Sequence, residues 1–204
     1  MDGEHKKKVV WRISLADIVV LKSGLDVTPV LTQLSEYADD WNTGSKMAGA
    51  QSLLDDRWGF PAVEAGVLQL IMGVITEQGQ FVGDSELSKP TDAYYRHNKV
   101  REILADNGFP ELERCGFLSL PVGGSVGTHI DTGDYYETRD RFHLSIQSTY
   151  NYEVGNDGVR IEPGTLFWFD NKQPHGAKNV GDDVRITFVF DVLRNKHDYD
   201  LPRK

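Results

Sequence analysis

At 204 residues the chain can bury one substantial hydrophobic core and falls short of two comfortable domains. Its 39% hydrophobic and 26% charged residues are an ordinary globular balance, and a net charge of −9 argues against nucleic acid and anionic membrane as partners. The single Cys115 excludes an internal disulfide and a cysteine-rich zinc site; it fits a reducing compartment and reads as an inert buried thiol beside Phe117.

Lys6, Lys7 and Lys8 precede an apolar run, but Arg12 and Asp17 interrupt it and no small-residue cleavage site follows, so no signal peptide is expected. No apolar run approaches the roughly 20 residues of a spanning helix, and the expectation is a soluble, cytoplasmic protein. Residues 9–21 are rich in β-branched side chains and predict one or two strands around a break near Ala16–Asp17. From Thr28 to Trp41, Val30, Leu31, Leu34, Tyr37, Ala38 and Trp41 recur at helical spacing, with Asp26 or Thr28 as the cap. Asn42 to Asp56 is small and polar and reads as a loop. A second, buried helix is expected from Pro61, with Val63, Val67, Leu70, Ile71, Val74 and Ile75 on one side. A third runs from about Thr91 to Asp106 and is stopped by Asn107–Gly108.

From Glu113 the texture changes to short β-rich runs punctuated by Gly, Pro, Asn and Asp. Strands are expected at Cys115–Val122, Ser125–Ile130, Arg141–Thr149, Val159–Ile161, Thr165–Phe169, His175–Asn179 and Val184–Leu193. Such spacing points to a β-sandwich or barrel.

The chemistry gathers in the same stretch. His129 and Asp131 sit two apart, so an extended strand sends both side chains to one face. His175 follows a strand and a turn, and two imidazoles with one carboxylate are the ligand set of a non-haem Fe(II) site with open positions. Taken alone, the H-x-D pair would be a strand-end histidine and a turn aspartate; His175, Arg185 and the strand RFHLSI change the balance. Arg185 and Thr187 share a strand face, where a guanidinium fork and a hydroxyl suit a carboxylate. A strand otherwise reading Val-x-Ile-x-Phe-Val-Phe rarely buries a charge without a partner. In RFHLSI, Arg141, His143 and Ser145 oppose Phe142, Leu144 and Ile146, which reads either as a lined pocket or as a solvated strand face. Phe167, Trp168 and Phe188 are candidate pocket walls or plain core aromatics; Tyr135, Tyr136 and Arg139 are loop candidates for meeting a substrate.

These residues carry a resemblance. H-x-D at His129, R-x-H-L from Arg141 to Leu144, and FDNKQPHGAKNVGDDVRITFVFDV from Phe169 resemble the aspartyl/asparaginyl β-hydroxylase family of Fe(II)- and 2-oxoglutarate-dependent oxygenases, over roughly the C-terminal half. The resemblance implies a mainly β fold with flanking helices: a double-stranded β-helix (jelly-roll, cupin-like) core supported by N-terminal α-helices. The order of elements along the chain predicts one domain over 1–204, with 1–112 as mainly helical support with N-terminal strands, 113–195 as the core with the metal site, and 196–204 as a tail. The resemblance further implies His129 and His175 as metal ligands, with Asp131 completing the set, Arg185 on the distal carboxylate of 2-oxoglutarate, where Thr187 on the same strand face adds a hydroxyl, and Arg141 and His143 near its other end. Members that hydroxylate epidermal-growth-factor-like domains carry glycine where this chain has Asp131, so this chain has the complete triad of the wider superfamily.

The activity so implied is hydroxylation of an amino-acid residue (aspartyl, asparaginyl or prolyl, free or within a protein or peptide). 2-Oxoglutarate and O2 are consumed, and succinate and CO2 released. Loops Asn42–Asp56, Gly79–Lys89 and Asp131–Asp140 are expected to meet the substrate. Three rivals share parts of the pattern: a cupin-like dioxygenase or isomerase without 2-oxoglutarate, a non-enzymatic ligand-binding jelly-roll, and, more weakly, a zinc hydrolase. Sequence leaves the oligomeric state open.

Overall fold

The structure, a computed structural model, describes residues 17–41, 66–73 and 88–203. Eleven strands are formed among them: β1 Ile18–Lys22, β2 Gly66–Gly73, β3 Ser88–Pro90, β4 Cys115–Leu120, β5 Ser125–His129, β6 Arg139–Gln147, β7 Tyr150–Val154, β8 Asp157–Ile161, β9 Leu166–Phe169, β10 His175–Asn179 and β11 Arg185–Leu193. The helices are α1 Thr28–Glu36, α2 Asp92–Arg96 and α3 Asn98–Asp106.

Two antiparallel sheets result, one ordered β1-β9-β6-β11-β4-β2-β3 and the other β5-β10-β7-β8. From β4 to β11 the chain passes back and forth between them, β4, β6, β9 and β11 on one side and β5, β7, β8 and β10 on the other. That is the double-stranded β-helix, a mainly β fold with few helices.

Strict alternation on the central strands divides the core. On β6 and β11, Phe142, Leu144, Ile146, Phe188 and Phe190 face outward, where Val30 and Leu34 of α1 and Val100 and Leu104 of α3 cover them. The other face looks into the barrel, where Phe167 and Phe169 meet Tyr150, Tyr152, Val154 and Ala177 of the smaller sheet. Arg141, His143, Ser145, Arg185, Thr187 and Asp191 occupy the alternate, inward positions, and the polar side of β6 is therefore a lined interior rather than a solvated face.

The expected helix from Pro61 is not what forms. Residues 61–65 lie outside the described residues, and 66–73 are strand β2, hydrogen-bonded to β4. Val67, Leu70 and Ile71 fit a helical period, but Leu68 and Leu70 fit a strand period equally well and are the residues fully buried. An open edge on β4 decides between them. Gly116 permits the approach, since a Cβ there would lie 2.6 Å from the Leu68 carbonyl oxygen.

The helix expected over 91–106 is two helices broken at His97, whose ring is held by Asp40 at 3.0 Å while Arg96 grips the same carboxylate at 2.6 and 2.9 Å. α1 begins with Val27 in the capping position, and Asp26 accepts from the Thr28 N–H at 3.0 Å. Of the strands expected in 9–21 only β1 falls among the described residues, as does only the Ser88–Lys89 end of the loop Gly79–Lys89. The loop Asn42–Asp56 lies outside them. Cys115 is buried, and burial pushes its thiol far above the usual range. Residues 196–203, expected as a tail, dock on the core: Tyr199 stacks on Phe109 and donates to the Asn107 carbonyl at 2.8 Å. Among the described residues no helix is long and apolar enough to cross a membrane.

Candidate metal centre

β5 ends at His129 and β10 begins at His175, and the two are direct register partners. Asp131 lies just past the strand, its N–H fixed to the Asn171 carbonyl at 3.1 Å. One donor atom from each of these three residues lies within 4.8 Å of the others, close enough to hold a metal ion. His129 Nδ1 donates to Gly127 O and His175 Nδ1 to Gln173 O, each at 2.9 Å. A carbonyl only accepts, so Nδ1 carries a proton in both rings and Nε2 is the nitrogen left for a metal. Burial holds the His175 imidazole down at about 4, against the pull of Asp131, so it is neutral at ordinary pH.

Burial works against ionisation of Asp131, but Arg141 beside it, with His175 and Asn171, outweighs burial and keeps the carboxyl below its usual range. Arg141 Nη1 donates to Asp131 Oδ2 at 2.9 Å, and Asn171 Nδ2 to the same oxygen at 3.2 Å. Its Nε and Nη2 fork onto Asp191 at 2.8 and 2.9 Å, and Nη2 also reaches the Tyr136 hydroxyl at 3.1 Å. Two carboxylates around one guanidinium leave net negative charge beside the two imidazoles. That donor set and that charge fit a divalent cation.

Deeper in the barrel a second group of polar atoms lacks partners among the described residues. Arg185 is 2% exposed, lies with its Cζ 4.0 Å above the Tyr150 ring, and has no carboxylate against it among the described residues. Arg185 Nε, Thr187 Oγ1, Ser145 Oγ, Tyr150 OH and His143 Nδ1 are all buried without a hydrogen-bond partner. Thr187 and Ser145 are direct cross-strand neighbours. Burial, reinforced by Arg185, keeps the His143 imidazole neutral; its ring packs against Tyr152, Phe167 and Phe169. Native interiors seldom leave so many polar atoms unsatisfied, and a guanidinium with three hydroxyls is the complement of a carboxylate.

Residues 85–195 match the family model described as aspartyl/asparaginyl beta-hydroxylase, more than half of the chain. The chain belongs to the aspartyl/asparaginyl β-hydroxylase family. No curated protein matches it significantly. Among solved structures, this family member is similar to a predicted oxalate decarboxylase of Thermotoga maritima, at 19% identity and a TM-score of 0.35 over 44% of this chain and 71% of that one. It is similar to the cupin domain of Schizosaccharomyces pombe Cnp3, at 12% identity and a TM-score of 0.35 over 40% and 56% of the two chains. An oxalate oxidase in complex with the substrate analogue glycolate is similar at 12% identity and a TM-score of 0.33, over 42% of each chain. Likeness at this level bears on neither reaction nor substrate. Membership in a hydroxylase family, with the barrel and the triad, makes the chain a cupin-like oxygenase with a candidate metal site.

Every residue the sequence singled out for the site lies on the inner face or at its mouth, but not all the neighbours do. Of the three candidate walls only Phe167 faces inward; Trp168 and Phe188 belong to the outer core under the helices. Arg139 is no loop arginine: it starts β6, is buried, and donates to Tyr135 O at 3.1 Å and Thr138 Oγ1 at 2.9 Å. Tyr135 is fully buried, its hydroxyl accepting from the Arg114 N–H, while Tyr136 joins the site through Arg141. Asp191, Asn171, Tyr150 and Tyr152 were not singled out. Asp191 could have been, because it continues the alternation Arg185, Thr187, Val189 on the inward face of β11.

Proposed function

We propose that the chain is an Fe(II)- and 2-oxoglutarate-dependent hydroxylase acting on an amino-acid residue, aspartyl, asparaginyl or prolyl, free or within a protein or peptide. The observation that carries the reading is Arg185: a buried guanidinium without a carboxylate against it among the described residues, beside the unsatisfied hydroxyls of Thr187, Ser145 and Tyr150, in the same barrel as a His-Asp-His cluster. A barrel enzyme that did not use a dicarboxylate would have no use for that charge.

In this reading His129, Asp131 and His175 hold the iron through two Nε2 atoms and one carboxylate. The iron, with 2-oxoglutarate and O2 as co-reactants, supplies the oxidation that turns a substrate C–H into C–OH while 2-oxoglutarate becomes succinate and CO2. Arg185 binds the distal carboxylate, and the three hydroxyls donate the remaining hydrogen bonds. Tyr150 stacked on the guanidinium keeps its plane fixed. Phe167, Phe169 and Tyr152 exclude water from the barrel. Neutral His143 offers a hydrogen bond without competing for the anion. Arg141 has spent four of its five N–H donors on Asp131, Asp191 and Tyr136, and one remains for the near end of the cosubstrate. A cytoplasmic setting is supported by the lone, buried Cys115.

The test is succinate release from 2-oxoglutarate by wild type and His175→Ala, with candidate peptides and free amino acids, alongside direct 2-oxoglutarate binding by wild type and Arg185→Ala. Iron-dependent turnover lost in His175→Ala, with binding lost in Arg185→Ala, is expected. No turnover and no 2-oxoglutarate binding by wild type overturns the reading.

A further inference from the structure

Among the described residues Asp191 is a fully buried acid near the centre that offers no atom to the triad, and its surroundings give it another task. It sits on β11 directly opposite Arg141 of β6. Its backbone is fixed on both sides, the N–H to Arg114 O at 3.0 Å and the carbonyl from Glu113 N at 2.9 Å. Both its oxygens take the Arg141 fork, at 2.8 and 2.9 Å, the planar bidentate geometry that leaves a guanidinium little rotational freedom. The third nitrogen, Nη1, then points at Asp131 Oδ2, 2.9 Å away. Asp131 needs this help because it lies beyond the end of β5, where no strand pairing fixes its side chain as it fixes His129 and His175.

We propose that Asp191 and Arg141 are positioning residues that hold the Asp131 carboxylate in metal-binding orientation, Asp191 acting only through Arg141. The chain rests on the reading of His129, Asp131 and His175 as a metal site. It carries the orientation of the one ligand supplied by irregular backbone from two rigid central strands. Ligating carboxylates are commonly fixed in this way by outer partners, whose loss weakens metal binding roughly 10–100-fold. Lysine cannot replace Arg141, since a single ammonium cannot fork onto Asp191 and still reach Asp131.

The experiment titrates Co(II), a spectroscopic stand-in for Fe(II), into wild type, Asp191→Asn, Arg141→Lys and Asp140→Asn, following the visible cobalt absorption and thermal unfolding. Asp140 is the control: it is buried and ion-paired one position from Arg141 but faces away from the site. Wild type is expected to bind. Asp191→Asn and Arg141→Lys are expected to bind roughly 10–100-fold more weakly with an altered cobalt spectrum, and Asp140→Asn to unfold at lower temperature with unchanged affinity and spectrum. Should Asp191→Asn not fold, Arg141→Lys decides. Wild-type affinity and spectrum in the variants that fold overturn the positioning role alone; failure of wild type to bind overturns the metal reading and this role with it.

Discussion

His129 and His175 are register partners across β5 and β10, with ring centroids 4.2 Å apart and planes at 55°. β10 is an inner strand of its sheet, paired on its other side to β7. Two of the three candidate ligands are therefore placed by main-chain pairing, and each ring is turned by its own Nδ1–H to a carbonyl two residues back. Such a pair is set when the sheet forms.

His175→Ala should fold, because the strand pairing survives, and should lose Co(II) affinity by more than the roughly 10–100-fold typical of an outer partner. Isothermal titration with circular dichroism on the same samples checks both halves. Retained affinity would mean that the metal, if bound, sits elsewhere.

Arg185 sets stability against function. A buried charge without a counter-ion costs the folded protein energy that a ligand carboxylate can return. Arg185→Met, similar in length and apolar, should raise the stability of the ligand-free protein by roughly 1–4 kcal/mol. Wild type should gain about 2.7 kcal/mol at 2-oxoglutarate a hundredfold above its dissociation constant, while the variant gains nothing. Urea unfolding with and without 2-oxoglutarate reads both. A destabilised Arg185→Met would show Arg185 to be a satisfied structural residue.

The site was legible because its chemistry is written in period two. H-x-D, R-x-H and R-x-T each put unlike polar residues on one strand face, and that alternation survives folding. Asp191 escapes notice because Val189 interrupts the polar alternation of Arg185 and Thr187 just before it. β7 escaped for a different reason: Tyr150, Tyr152 and Val154 alternate with Asn151 and Glu153, but the turn before them is Ser148–Thr149, with Ser148 at φ 67° and no glycine to mark it. β2 reads as a helix because its leucines satisfy two periods at once, and only the open edge of β4, a tertiary fact, chooses.

Asn179 ties the far end of the barrel. Its Nδ2 donates to Leu120 O, Pro121 O and Asp183 O at 3.2, 3.0 and 2.8 Å, and its Oδ1 accepts from Ser148 Oγ at 3.0 Å and Gly181 N at 3.2 Å. Asn179→Ala strands several of these buried groups and should cost about 3 kcal/mol. It sits at the opposite end of β10 from His175, roughly 13 Å away at ~3.3 Å per residue, so Co(II) affinity should not change. A fall in affinity matching the fall in stability would mean that the two barrel ends are coupled.

The acid limb of stability should report Asp140, which pins the C-terminal segment to β6. The carboxylate accepts from His197 Nε2 at 2.8 Å and Arg203 Nε at 2.9 Å, with Arg203 Nη2 against it and Arg194 Nε at 3.4 Å. Burial raises its pKa, but the bonds from Arg203 and His197 outweigh burial and bring it to about 2, against 3.8 for a free aspartate. The folded state thus binds the proton less readily than the unfolded one. Its stabilisation is complete above about pH 4 and is lost as pH falls from there through about 2. At 1.36 kcal/mol per pK unit the window holds about 2 kcal/mol. Asp140→Asn should lose at least that at pH 7, leaving Arg203 and Arg194 unpaired, and should show a shallower decline than wild type between pH 4 and pH 2 in urea unfolding. Parallel declines in the two proteins would mean that the clasp adds nothing to folding.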